Sequence, residues 1–224
     1  IVGVTKEETP EVYDTFMEYT TKAYASEKSP LELSFIPIHP GDILSYGGYH
    51  FEVKLLKGHT FGQCGLYEPE KKLMFVGDQL MTTIVPIVGT QETDLGMLKC
   101  YLDSLGDLKH NYKDCYFLPC HYGEIRNVEK EVNRIILGYL EKCEIMKHVL
   151  EEAGTALTTR DIGVRTYGRS QGPPDYAHFA SCTYIWAKTF SCMEYMMGEG
   201  FVERSERDGI IYWKAPSIHF ENNR

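Results

Sequence analysis

His59, Asp78 and His121 are the side chains of this chain best suited to chemistry, and the segments around them say why. Those segments read LLKGHTFGQCGLYEPEKKLMFVGDQL and CYFLPCHYGEI. Each polar residue follows a short apolar run of strand-like composition: residues 53–56 precede His59, residues 73–76 precede Asp78, and residues 116–118 precede His121. A β scaffold presents functional side chains in this way, from loops at one edge. Imidazole, carboxylate and imidazole form a ligand set for a divalent metal such as zinc. In Gly58-His59-Thr60-Phe61-Gly62 both glycines are expected to serve a sharp backbone turn that aims the imidazole inward, with the Thr60 hydroxyl holding the neighbouring backbone. Cys120 abuts His121 and reads as a half-buried thiol packing a strand end, with a ligand or nucleophile role as the alternative.

The elements that must position these residues follow from patterning. Thr9-Pro10 followed by EVYDTFMEYTTKAYASE predicts a capped helix with Pro10 at its first position. Residues 32–56 alternate apolar runs with HPGD and YGG turn signals and predict two or three strands. Residues 64–67 and 73–76 flank the EPEKK turn as a hairpin. The segment MTTIVPIVGT is irregular, Thr90 or Thr93 is the expected cap of the helix GMLKCYLDSL, and residues 114–118 form the strand before His121. This order predicts an α/β layer in which helices cover a mixed sheet.

From about Val128 the pattern changes. Apolar residues at 132, 135, 136, 139, 140, 143, 146, 149 and 150 have helical spacing, and Gly154 is the expected stop. A second helix starts at Thr158-Thr159-Arg160-Asp161, RSQGPP breaks the chain, and a third helix covers roughly residues 177–197. GFVERSERDGIIYWKA reads as strand, Asp-Gly turn and strand. The division expected is therefore a first domain over residues 1–126 and a helical, winged-helix-like domain over 127–224.

Taken together, Gly58-His59-Thr60-x-Gly62, Gly77-Asp78 after an apolar strand, and Pro119-Cys120-His121-Tyr122-Gly123 resemble the second half of the metallo-β-lactamase superfamily domain, over about residues 32–125. Phe61 stands where that family often has Pro. The resemblance implies the second half of an αββα sandwich, and a small C-terminal winged-helix domain of the kind that follows it in lactamase-β-2-like hydrolases. It implies that His59 serves one metal and His121 a second, with Asp78 bridging them. The metals would be two zinc ions per complete site, or iron or manganese, which activate a bridging water as hydroxide. The reaction implied is hydrolysis of an ester, thioester, lactone, lactam or phosphodiester in a small-molecule substrate. Tyr122 and residues 82–88 are the candidates for shaping the substrate pocket.

The family's first-half signature, His-x-His-x-Asp-His, occurs nowhere in the chain. Three ligands shared between two metals leave each short of the roughly four that zinc takes. His39 in its turn and His50 in its strand do not replace the missing ones, and no residue is assigned to acid or base catalysis. With Ile1 rather than Met in first place, the chain is expected to be a processed or clipped part of a longer protein. The missing half would come from upstream sequence or another chain, with a homodimer partner also in view. A scaffold that keeps the fold without the chemistry is the alternative reading.

A net charge of −9 argues against nonspecific polyanion binding. Lys188 is the one basic residue of the predicted third helix, so nucleic acid is not the expected partner despite the winged pattern. No apolar run approaches the ~18–20 residues of a membrane span. Seven cysteines without a C-x-x-C pair predict free thiols and a reduced, cytoplasmic setting.

Overall fold

The computed structural model describes Asp14 and residues 36–88, 93–168 and 176–216, with side chains in the last span described from Tyr184 onward. The N-terminal helix expected after Thr9 lies outside the described residues, apart from Asp14, which is helical. The first part of the chain runs β1 (Ile43–Tyr46), β2 (Tyr49–Leu55), β3 (Cys64–Glu68), β4 (Leu73–Gly77), α1 (Met97–Asn111) and β5 (Tyr116–Pro119). Its strands form one sheet in the order β1-β2-β3-β4-β5, antiparallel up to β4 and parallel between β4 and β5. The parallel pair requires a crossover, and α1 supplies it.

Met97, Leu98, Tyr101, Leu105 and Leu108 fall on one stripe of α1 and are buried. They share a core with Met74, Val76 and Phe117 of the sheet. Burying each large side chain of this kind contributes about 1.5–3 kcal/mol. The opposite sheet face, set by the pairings Leu44↔Phe51, Val53↔Leu66, Leu66↔Phe75 and Phe75↔Leu118, is also apolar. Phe51 stacks on Tyr49 at 5.7 Å and meets Phe75 edge-on at 5.7 Å, yet Phe75 and Leu55 are each 41% exposed.

The second part runs α2 (Val128–Ala153), β6 (Leu157–Thr158), α3 (Thr159–Tyr167), α4 (Tyr176–Gly198), β7 (Glu203–Arg207) and β8 (Ile210–Lys214). Its strands form an antiparallel sheet in the order β6-β8-β7. The Asn127 side chain caps α2 by accepting from the Lys130 N–H, and Gly154 ends it in the left-handed conformation. Thr158 and Asp161 form a reciprocal capping box at the start of α3. Asp208 and Gly209 both take positive φ, which suits the two-residue turn between β7 and β8. Trp213 is fully buried, edge-on to Phe190, and its indole N–H donates to Thr159 Oγ1 at 2.9 Å.

One buried cluster continues from the sheet through α1 to α2, α4 and Trp213. Tyr139 of α2 meets Tyr101 of α1 edge-on at 5.9 Å, and Lys109 donates to the Asn133 side chain at 2.9 Å. No helix among the described residues is long and apolar enough to cross a membrane. Cys64, Cys100, Cys115, Cys120, Cys143 and Cys192 are free thiols.

One expected cap is not used. The N-cap of α1 is Gly96, with no side-chain cap, and Thr93 lies in the turn before it, while Thr90 is outside the described residues. The entry to α1 is held from the second part instead. The Asp94 N–H donates to the Glu194 carboxylate of α4, and the Asp94 carboxylate pairs with Arg204 of β7.

Glu194 is 4% exposed, and burial is the main reason its carboxyl is held above the ordinary value of 4.5. A carboxyl that binds its proton more tightly when folded stabilises the fold fully below the unfolded pKa. That contribution is lost as pH rises through the folded pKa. Glu194→Gln removes this dependence. Its stability relative to the parent, from urea denaturation, is expected to improve between about pH 4 and about pH 7. A difference that stays flat or falls with pH contradicts the assignment.

Candidate metal centre

Strand direction decides where the three residues meet. β2 is antiparallel to β3 and β3 to β4, while β4 is parallel to β5, so β2, β4 and β5 all end at one edge. His59 lies in the loop leaving β2, Asp78 follows β4 directly, and His121 follows β5. Asp78 stands between the two imidazoles: His59 Nε2 is 3.7 Å from Asp78 Oδ2, and His121 Nε2 is 3.5 Å from Asp78 Oδ1. The His59 and Asp78 side chains are largely covered, whereas that of His121 is 62% exposed.

Two glycines shape this edge. Gly58 has φ +144°, and a Cβ there would lie 2.4 Å from Tyr101 Cβ and 2.6 Å from its Cα, so α1 leaves no room for a side chain. Gly77 has φ +57° at the register shift in the β4–β5 pairing, between Phe75 and Gly77. A Cβ there would strike the Gln63 amide, which donates to the Cys64 and Val76 carbonyls. Gly62, by contrast, has open space and ordinary φ, so the expectation that both glycines of the first loop are required is corrected. The loop is drawn together by the Thr60 carbonyl, which accepts from Gly58 N–H at 3.2 Å and Gln63 N–H at 3.4 Å; the role expected of the Thr60 hydroxyl falls to its backbone.

A buried residue that sequence patterning does not single out ties the loops together. Gln79 donates to the Lys57 carbonyl at 3.1 Å and to Ser104 Oγ at 3.0 Å, and its side-chain oxygen accepts the His59 N–H at 3.4 Å. The Tyr101 hydroxyl donates to the Gln79 carbonyl at 2.8 Å. The sequence signal was an amide between Asp78 and the apolar Leu80-Met81; the structure buries it fully, which demands internal partners.

His59 Nδ1 is 2.7 Å from the Ile87 carbonyl oxygen. A carbonyl only accepts, so Nδ1 carries the proton. Nε2 then faces Asp78 with either a lone pair or a second proton. Without a proton or a metal ion between them, two acceptors would oppose each other. Asp78 Oδ1 is itself shielded from solvent and has no hydrogen-bond partner among the described residues. A carboxylate oxygen in that state favours a cation beside it. The donor chemistry therefore fits a divalent metal, but only in part. Among the described residues no group of three or more His, Cys, Asp or Glu side chains is placed to hold a metal ion. What the edge offers is one nitrogen at one carboxylate oxygen and one nitrogen at the other.

The neighbours divide clearly. Tyr122 takes φ +70° beside His121, with ring centroids 6.1 Å apart, and is 55% exposed. Cys120 is exposed rather than half-buried; its N–H donates to the Gly77 carbonyl at 3.1 Å, holding β5 to β4. His50 is bound to Ser45 at 2.8 Å in the β1–β2 pair, and His39 sits in an exposed turn closed by Asp42. Lys188 of α4 places its ammonium 4.9 Å from the centre of the Tyr139 ring, and burial lowers its pKa. It packs toward α2 rather than presenting an exposed cation.

The two loop glycines give a direct contrast. Gly58→Ala is expected to cost roughly 3 kcal/mol, from overpacking against α1 and an unfavourable φ. Gly62→Ala should change stability by no more than about 0.5 kcal/mol. Equal costs in urea denaturation would contradict this account of the loop.

No protein-family model matches the chain. A stretch of 40 residues is 50% identical to hydroxyacylglutathione hydrolase GloC of Haemophilus influenzae, covering 18% of this chain and 19% of that enzyme. The crystal structure of a β-lactamase domain protein from Burkholderia ambifaria superposes with a TM-score of 0.76 at 20% identity, over 96% of this chain and 59% of that one. That of a metallo-β-lactamase family protein from Thermus thermophilus superposes with a TM-score of 0.68 at 20% identity, over 92% of this chain and 66% of that one. The chain thus spans less than two thirds of the length of each. Its fold is that of the metallo-β-lactamase superfamily.

Proposed function

We propose that this chain is the C-terminal part of a metallo-β-lactamase-type hydrolase domain, and that on its own it presents half of a dinuclear metal site and is not a catalyst. The observation that carries this is the Asp78 carboxylate with an imidazole at each oxygen and no third donor at either among the described residues. Each metal position would draw one nitrogen from His59 or His121 and one oxygen from Asp78, about half of what zinc takes. In the complete protein the metals, zinc or alternatively iron or manganese, would supply an activated water. The residues of this chain orient the two imidazoles, hold Asp78 between them, and keep His59 in place, its ring through the Ile87 carbonyl and its backbone N–H through Gln79. Tyr122 and residues 82–88 are proposed to face the substrate, an ester, thioester, lactone, lactam or phosphodiester.

The partly exposed apolar sheet face supports the same reading. Tyr49, Phe51, Leu55 and Phe75 form a surface suited to a second sheet, and the absent first-half signature would arrive with that sheet. We assign its cover to the N-terminal half of the domain, with a second copy of the chain as the competing occupant.

The division near residue 126 and the winged-helix character of residues 127–224 are also proposed here. The order helix, strand, helix, helix, strand, strand with the sheet β6-β8-β7 supports that assignment. With Lys188 packed against Tyr139, a role as lid, pocket wall or dimer contact is preferred to nucleic-acid binding.

Metal content by elemental mass spectrometry after dialysis tests the half-site reading. Well under one zinc per chain is expected, together with no turnover of a hydroxyacylglutathione, the substrate named for the Haemophilus relative. Two retained metal ions with turnover would overturn the claim that the chain is incomplete.

A further inference from the structure

The segment from Met81 to Val88 has no helix or strand of its own, yet it supplies the carbonyl that holds His59. Its order comes from α2. Arg134 donates to the Met81 carbonyl at 2.7 Å and to the Ile84 carbonyl at 3.2 Å. Further along the helix, the fully buried Tyr139 hydroxyl donates to the Pro86 carbonyl at 2.6 Å and accepts the Val88 N–H at 3.2 Å. These two bonds straddle Ile87, so turning the Ile87 carbonyl away from His59 would strain or break at least one of them.

We infer that Tyr139 is a positioning residue for His59: from the second part of the chain it fixes the Ile87 carbonyl, and through it the ring tautomer and the aim of Nε2 at Asp78. Its significance for a metal rests on the reading proposed above, whereas the tautomer claim stands without any metal. Burial holds the Tyr139 hydroxyl well above its ordinary pKa, so it remains a donor across the working pH range. Its ring packs on Tyr101, and neither Tyr139 bond touches a candidate ligand directly.

Tyr139→Phe removes the hydroxyl and keeps the ring. In zinc-free protein, nitrogen NMR of the His59 ring is expected to show a single Nδ1–H form in the parent. In the variant it should show a mixture drifting toward Nε2–H. Thr159→Val serves as the control, because it removes a buried hydrogen bond to Trp213 far along the sequence from this segment. It should lower stability while leaving the His59 signals in place. Unchanged His59 signals in Tyr139→Phe, or an equal change in Thr159→Val, would overturn the inference. Should Tyr139→Phe fail to fold, hydrogen exchange of the parent decides: the Val88 N–H must be protected, and fast exchange there contradicts the clamp. Zinc titration separates the two claims. If the parent binds zinc, Tyr139→Phe should weaken it about 10-fold or more. If the parent takes none under saturating zinc, the metal reading fails, and the tautomer result still decides the role of Tyr139.

Discussion

Parallel pairing of β4 with β5 is the constraint on which the rest depends. Parallel neighbours must end at the same edge, so the residues after Gly77 and after Pro119 are delivered side by side. The pairing also demands a crossover, and α1 both makes the connection and supplies the apolar stripe that buries one face of the sheet. Because Gly58 lets the first loop lie against Tyr101 of that helix, the crossover also sets where His59 stands. Sheet topology, core and candidate site are thus consequences of one connection.

α2 extends this logic beyond the sheet. Its buried residues, from Val128 through Ile135, Tyr139 and Met146 to Leu150, follow helical spacing and join the cores of the two parts. The same helix reaches the irregular segment after Asp78 with Arg134 and Tyr139. An irregular stretch near a site must satisfy its backbone groups somewhere, and here the partners come from side chains about fifty positions away. The second part of the chain is therefore continuous with the site in physical terms, whatever further role its helices and strands have.

Local rules read well from the sequence where the physics is local. The hairpin β3–β4, the Gly154 stop, the Thr158–Asp161 start and the Asp208-Gly209 turn all depend on residues within a few positions of one another. The meeting of His59, Asp78 and His121 was legible in part: each follows a strand-like apolar run and the family resemblance groups the three, whereas the strand order and direction that bring them to one edge come from the pairing. What could not be read depends on distant partners. Gly96 begins α1 because Glu194 and Arg204 hold Asp94, and periodicity cannot report that. Likewise, Ile87 enters through its carbonyl, which every residue has, so its side chain carries no signal. Gly62 and Cys120 show the opposite error, in which residue type suggested a role that the surrounding space does not require.

A carboxylate flanked by imidazoles at separate oxygens is a different object from three ligands converging on one ion. On the reading proposed above, His59 and His121 serve separate metal positions, each incomplete. The decisive measurement is a zinc titration of the 224-residue chain, followed through the ring nitrogen signals of both histidines. Weak binding is expected, with the two rings responding independently and without saturation at stoichiometric zinc. A single tight transition, in which both rings shift together and saturate at one equivalent, would contradict it.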